Sequence, residues 1–201
     1  PGSYPVLVIG SGPGGLQVST SLRQKGIAHA VISADPAPGG MFRRWPFFQR
    51  LLSWTKPYAL SEPGSPLYER SDWNSLLTDD PAATSLQRGL MDGTSSFPTR
   101  AEMEANLVAF TDRTRLAVRY GCAWRSTRLV DDADGTRFVV ETTDGEYRCA
   151  VLVIAVGNPS RGDDALGPEL AARLEAASLP GVEVISEFQL QVENALDLVG
   201  R

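Results

Sequence analysis

Gly10, Gly12 and Gly15 stand at Gly-x-Gly-x-x-Gly spacing directly after the apolar run Val6-Leu7-Val8-Ile9. The chemistry such a turn offers is cradling the pyrophosphate of a dinucleotide. Gly10 permits a tight exit from a strand, Gly12 lets backbone approach the phosphates with no Cβ in the way, and Gly15 lets helix and strand pack closely. Pro13 and Gly14 complete the turn, and the helix that follows aims its N-terminal N–H groups at the anion. An ordinary glycine-rich turn can also carry three glycines. Here the buried-type strand before the turn and the helix-compatible residues 16–25 after it supply the setting that the motif requires.

Other reactive side chains are few. The only histidine, His29, falls at the start of a predicted strand, which speaks against histidine-based catalysis. Cys122 and Cys149 are too far apart for a CxxC redox pair and read as two buried thiols. No catalytic acid or base can be named.

The elements that position the turn follow from periodicity. Residues 5–9 are apolar on both faces, as suits a central parallel strand, and residues 29–33 form a second strand, closing a βαβ unit. From 35 to 98 the chain is irregular, rich in Pro, Ser and Gly, and holds all but one of the four tryptophans. So long an excursion is expected to cover a ligand, with Trp45 and Trp54 read as core aromatics rather than stacking residues. Thr99-Arg100-Ala101-Glu102 has capping-box spacing, with Met103, Leu107 and Phe110 on one face of a helix over 100–112. Strands at 118–120, 127–130, 138–142 and from 147 onward, with Asp-Gly turns at 134–135 and 144–145, read as an antiparallel meander. It leads into residues 150–157, another strand expected to be buried on both faces.

The chain has 201 residues, 42% of them hydrophobic and 21% charged, enough for one good core or two small ones. A net charge of −5 argues against a nucleic-acid or anionic-membrane surface, Arg43-Arg44 being the one basic patch that stands out. No stretch is apolar enough to span a bilayer and no signal-type N-terminus is present, so the default compartment is cytoplasmic. A start at Pro1 and an end at Arg201 straight after a helical pattern read as a fragment. The fold class is α/β, a Rossmann-like mostly parallel sheet with a small antiparallel meander.

That order of elements resembles the FAD-binding domain of flavin-dependent monooxygenases and related NAD(P)-FAD oxidoreductases over residues 5–157, within a domain spanning 1–157. Echoes include Pro38-Gly39-Gly40, Asp72-Trp73-Asn74-Ser75-Leu76-Leu77, Phe97-Pro98 and Val153-Ile154-Ala155-Val156-Gly157. The resemblance implies FAD as cofactor, held by Gly10, Gly12, Pro13, Gly14, Gly15 and Gly157, with Gly39, Gly40, Arg44 and Lys56 near the flavin. It implies reduction of the flavin by NADPH in a longer form, transfer of oxygen or a hydride equivalent to a small-molecule substrate, and chemistry performed by the cofactor while the protein positions it. Two departures stand out. The family's acidic residue at the end of the second strand, which grips the adenosine ribose, is replaced by Ser33, with Asp35 two residues on. Val156 replaces a threonine in the closing strand.

After Gly157 a second resemblance begins. Gly157-Asn158-Pro159-Ser160-Arg161-Gly162-Asp163-Asp164 looks like the start of a hydrogenase maturation endopeptidase, whose first strand residues 151–157 would also supply, so that 151–201 form a βαβα segment. In that family an acid in the place of Asp164 helps recognise nickel in the hydrogenase large subunit, which would then be the partner. Asp163 and Asp164 equally fit a helix N-terminus whose dipole they complement, and one carboxylate makes no transition-metal site. Three readings result: an FAD-dependent, monooxygenase-like oxidoreductase represented by its flavin-binding part; an endopeptidase N-terminal fragment; and a joined or truncated nucleotide-binding chain without catalysis.

Overall fold

In the computed structural model, residues 1–43, 48–55, 62, 65–156, 172–173 and 175–176 are described. The first unit is β1 (Gly2–Ile9), α1 (Pro13–Gln24) and β2 (His29–Ile32). β1 pairs in parallel with β2, Val8 opposite Val31 and Ile9 opposite Ile32. Its side chains alternate between two cores, as the pleat demands. Val6 and Val8 pack with Val18 and Leu22 of α1 and with Val31. Leu7 and Ile9 point the other way, toward Ile32, Val140, Tyr147 and Cys149. Leu7 and Val8 are wholly buried, and burying such a side chain stabilises by about 1.5–3 kcal/mol.

After the excursion, α4 (Arg100–Thr114) starts at a capping box in which the Thr99 side chain accepts from the Glu102 N–H and Glu102 reaches back to the Thr99 N–H. Met103, Leu107 and Phe110 then pack with Leu16, Phe42, Leu76 and Leu116. β3 (Val118–Arg119), β4 (Trp124–Leu129), β5 (Phe138–Thr142) and β6 (Gly145–Ile154) complete a six-stranded sheet of order β3-β2-β1-β6-β5-β4. β6 lies parallel to β1, with Val8 opposite Val153, and antiparallel to β5. β5 and β4 are antiparallel, with a register shift between Trp124 and Ser126. This is the expected Rossmann-like, mostly parallel sheet with an antiparallel meander.

Four expectations need correction. The strand at 118–120 is no part of the meander: β3 pairs in parallel with β2, an arrangement that requires a crossover, here made by the excursion and α4. The excursion is not without elements. It contains α2 (Pro66–Ser71), α3 (Leu86–Leu90) and two 3₁₀ turns, Gly40–Arg43 and Pro81–Ala83, each too short for a periodic signal. Residues 151–156 are half-buried rather than fully buried among the described residues, although Val151 and Val153 pack on one face and Leu152 and Val156 on the other. Trp54 is not a core residue. It is 49% exposed and meets Phe97 edge to face at 5.9 Å, on a surface where residues 48–55 run beside 96–100. Both cysteines are buried as expected. No helix among the described residues is long and apolar enough to cross a membrane.

Candidate functional site

The carboxyl ends of β1, β2 and β6 converge on the glycine turn. β1 is where the sheet changes direction, since the chain proceeds outward from it through β2 to β3 and later returns to its other side as β6. In open α/β sheets the crevice at such a switch point is where ligands bind. Each glycine of the turn answers a separate steric demand. Gly10 has φ +115°, donates its N–H to the Ile32 carbonyl at 2.8 Å, and has the Ala155 carbonyl oxygen 2.3 Å from where a Cβ would sit. A Cβ on Gly15 would fall 2.1 Å from the Gly10 carbonyl oxygen. Gly12 is different, because a Cβ there would meet nothing within 4 Å. It faces open space at the start of α1, whose N-terminus has no side-chain cap and no acidic residue in its first turn. The partial positive charge of that helix end is therefore unopposed by the helix's own cap and first turn.

Ser11 joins the neighbouring turns. Its hydroxyl donates to Ser33 Oγ at 2.8 Å, and its carbonyl accepts the Gly39 N–H at 2.8 Å. Ser11 and Ser33 are 2% and 3% exposed. Ser33, the first residue beyond β2, also takes the Asp35 N–H at 3.2 Å, while its backbone pairs with Arg119 and Cys122. Gly39 adopts φ +66° against Leu107, and the Asp35 carboxylate lies over Gly40, 2.2 Å from where a Cβ would be built. The structure thus brings together Gly10, Gly12, Pro13, Gly14, Gly15, Ser33, Asp35, Gly39 and Gly40. Arg44, Lys56, Gly157 and Asp164 lie outside the described residues, as does nearly all of the βαβα segment from 158 on. Sequence reasoning passed over Ser11 and Ala155. A hydroxyl between two glycines was the one available hint of the former.

Polar clamps hold the excursion against this edge. Gln17 of α1 donates to the Leu77 carbonyl at 3.0 Å and accepts the Leu77 N–H at 2.7 Å. Asn106 of α4 donates to the Asn74 carbonyl, and Asn74 accepts from the Ser53 hydroxyl at 2.7 Å. Glu69 of α2, 4% exposed, accepts the N–H of Ser85 at 2.7 Å, where the chain takes a left-handed turn into α3. Burial pushes its carboxyl up to about 7, with Asp72 raising it further and the Ser85 bond opposing. Gln87 is wholly buried, and neither atom of its amide finds a hydrogen-bond partner among the described residues.

The described side chains offer no catalytic group at the turn. His29 bonds the Ser19 hydroxyl at 2.8 Å and the Ile27 carbonyl at 2.9 Å, and burial pushes the Cys149 thiol up to about 11, leaving no thiolate at neutral pH. No cluster of three or more metal-ligating side chains occurs among the described residues. The arrangement can bind and orient an anion, leaving redox chemistry to a bound group.

A family model described as pyridine nucleotide-disulphide oxidoreductase matches residues 7–163. FAD-dependent oxidoreductase domain-containing protein 2 of Mus musculus is 32% identical over 198 residues, covering 96% of this chain and 27% of that protein. The chain spans about a quarter of the length of the curated relatives it matches. Among solved structures, the bacillithiol disulfide reductase Bdr from Staphylococcus aureus superimposes with TM-score 0.56 at 19% identity, covering 77% of this chain and 38% of that one, a likeness of fold. An oxidised steroid monooxygenase bound to NADP gives TM-score 0.54 at 26% identity, covering 78% and 26%. The mouse alignment runs through most of the residues after Gly157 as well, and nothing in these comparisons supports the endopeptidase resemblance.

Proposed function

The chain belongs to the pyridine nucleotide-disulphide oxidoreductase family, and on that premise we propose that it is the FAD-binding portion of an FAD-dependent oxidoreductase of monooxygenase-like type. The observation that carries this reading is the open space in front of Gly12 at an uncapped helix N-terminus, bounded by glycines that admit no side chain. That cradle fits a pyrophosphate. Gly12, Gly14 and Gly15 would hold the pyrophosphate through backbone, and Ser33, Asp35, Gly39 and Gly40 would line the adenosine and flavin sides. FAD, when bound, supplies two-electron redox chemistry. The chain's own residues orient it: Ala155 and Ile32 fix Gly10, Leu107 fixes Gly39, and Gln17 fixes the excursion that closes over the edge. The relatives named for FAD-dependent activity support the cofactor. The NADP-bound steroid monooxygenase supports NADPH as reductant of a longer form and a small molecule as substrate.

The thiols take no part in this reading. The sequence holds two cysteines, and both are buried and unpaired. Titrating the purified chain with FAD tests it: saturable quenching of flavin fluorescence with one equivalent bound is expected, and protein that stays colourless after reconstitution refutes the reading.

A further inference from the structure

We propose that residues 70–84 are a lid over the edge of the glycine turn, held shut at its neck by the Glu69–Ser85 hydrogen bond, and that ionisation of Glu69 loosens it, so that a bound dinucleotide escapes more readily as pH rises. What the lid covers rests on the dinucleotide reading above, and the lid itself on its own geometry.

The segment is a loop with its two ends tied. At one end the Glu69 carboxyl accepts the N–H of Ser85, at the other, at 2.7 Å across 16 residues, as in compact surface loops closed on themselves. Its far side reaches the first two turns of α1, just past the glycines. Leu77 exchanges two hydrogen bonds with the Gln17 side chain, and Leu76 packs with Leu16. The rest of the grip is mainly polar. Asn106 of α4 holds the Asn74 carbonyl, Arg113 of α4 holds the Ala82 carbonyl at 2.8 Å, and Gln24 of α1 donates to the Thr78 hydroxyl at 3.3 Å. Among the described residues, Leu76 and Ala83 are the lid's two members of the core cluster beneath it. A segment held by so few apolar contacts opens at less cost than the strands behind it.

The closed position is under tension at the neck. Ser85 has φ +50°, a left-handed conformation that a residue with a Cβ adopts only at a cost. Two residues on, Gln87 is wholly buried with neither amide atom hydrogen-bonded among the described residues, a further cost of holding α3 in place. Against both stands the Glu69 bond. Glu69 is itself buried, and Asp72, one turn along, is buried too and disfavours a second negative charge. Tyr68, beside it on α2, takes the guanidinium of Arg88 from α3. Arg113 of α4 and Asp80 of the lid are engaged with the Ala82 carbonyl and N–H. Among the described residues, then, no cation bonds Glu69.

Protonated, Glu69 accepts the Ser85 N–H and stays. Ionised, it gains by reaching water, and it reaches water by letting the neck go. Burial pushes its carboxyl from 4.5 up to about 7, with the Ser85 bond opposing and Asp72 adding. Because the shut form holds the proton more tightly than the open one, closure is fully supported below pH 4.5 and loses that support as pH rises through 7.

Hydrogen exchange on the 201-residue chain, corrected for the intrinsic pH dependence of exchange, reads the opening. Between pH 5 and pH 7.5 the opening equilibrium at the Ser75, Leu77 and Ser85 amides should rise roughly fiftyfold, while the amides of α4 stay level. Glu69→Gln, which keeps an oxygen for Ser85, should hold the lid amides as level as α4. Should that variant fail to fold, Asp72→Asn serves, and it should move the midpoint of the rise to lower pH. A wild-type lid that stays level, a rise shared by α4, a rise that survives Glu69→Gln, or a midpoint that Asp72→Asn leaves in place overturns the clasp. Release of bound FAD, followed by recovery of flavin fluorescence on dilution, tests the gate: it should quicken with pH in proportion to opening in the wild type and not in Glu69→Gln. Release that stays level while the lid opens overturns the gate. A chain that binds no FAD overturns the dinucleotide reading and the gate with it, whereas the exchange profile still supports or overturns the lid.

Discussion

Replacing Glu69 by glutamine should change how the stability of this chain depends on pH. Glu69 is buried, its Oε1 accepts the Ser85 N–H at 2.7 Å, and the cost of burying its charge pushes its carboxyl from 4.5 up to about 7. The neighbouring ionisable groups are Asp72 just past the end of the same helix, which disfavours a second negative charge, and Tyr68, paired with Arg88 of α3. Because the folded state holds this proton more tightly than the unfolded chain, the contribution is fully present below pH 4.5 and is lost as pH rises toward 7. At about 1.4 kcal/mol per pH unit, the loss is roughly 3 kcal/mol. Glu69→Gln keeps an oxygen acceptor for Ser85 and removes the titration. Urea unfolding of both proteins at intervals from pH 5 to pH 7.5 isolates the effect, since the other carboxylates cancel in the difference. The variant should gain about 2 kcal/mol on the wild type across that range. A difference that stays flat with pH refutes the reasoning, and one that shrinks reverses its sign.

Other perturbations test separate parts of the argument. Gly15→Ala places a Cβ 2.1 Å from the Gly10 carbonyl and should cost about 3 kcal/mol or more of stability. Gly12→Ala enters open space at an ordinary φ of −77°, so it should keep stability within about 1 kcal/mol while abolishing FAD binding; equal behaviour of the two variants in denaturation would contradict the steric assignments. Gln87→Leu removes a buried amide that has no partner among the described residues and should raise stability by about 1 kcal/mol, measured as a higher urea midpoint. Thr99→Ala breaks the capping box of α4 and should lower it by about 1 kcal/mol.

The parts of this fold legible in the sequence are those fixed by neighbours in the chain. The turn at 10–15 announces itself because strand, glycines and helix are contiguous. Thr99 and Glu102 bond to each other's backbone within three residues, and the β5–β6 hairpin closes with Thr142 opposite Gly145. Long-range choices were hidden. Nothing local tells β3 to pair with β2 when the excursion and α4 both lie between them, and two residues carry no period. The helices α2 and α3 are six and five residues long, and their start signals, such as Ser65 accepting from the Tyr68 N–H, are common in loops too. At the site, glycine spacing located the anion cradle, whereas the Ser11–Ser33 bond joins residues 22 apart in sequence and depends on the ends of two strands meeting. Trp54 was misjudged because size and hydrophobicity favour burial on average but do not say which face of a surface segment a ring occupies.

The two rims of the sheet bear on how this chain behaves in a crowd. A strand with unpaired backbone groups is a template on which a foreign strand can grow, the first step of aggregation. At one rim, β3 offers two residues, too short a template to hold a newcomer. At the other, β4 is mostly exposed and longer, but it carries Arg125 and Arg128 and a break in register after Trp124. An identical molecule docking edge to edge there would bring arginine against arginine along a ladder that is already out of step. Among the described residues, both rims of this mixed sheet are thus defended against edge-to-edge growth, one by brevity and the other by charge and irregularity.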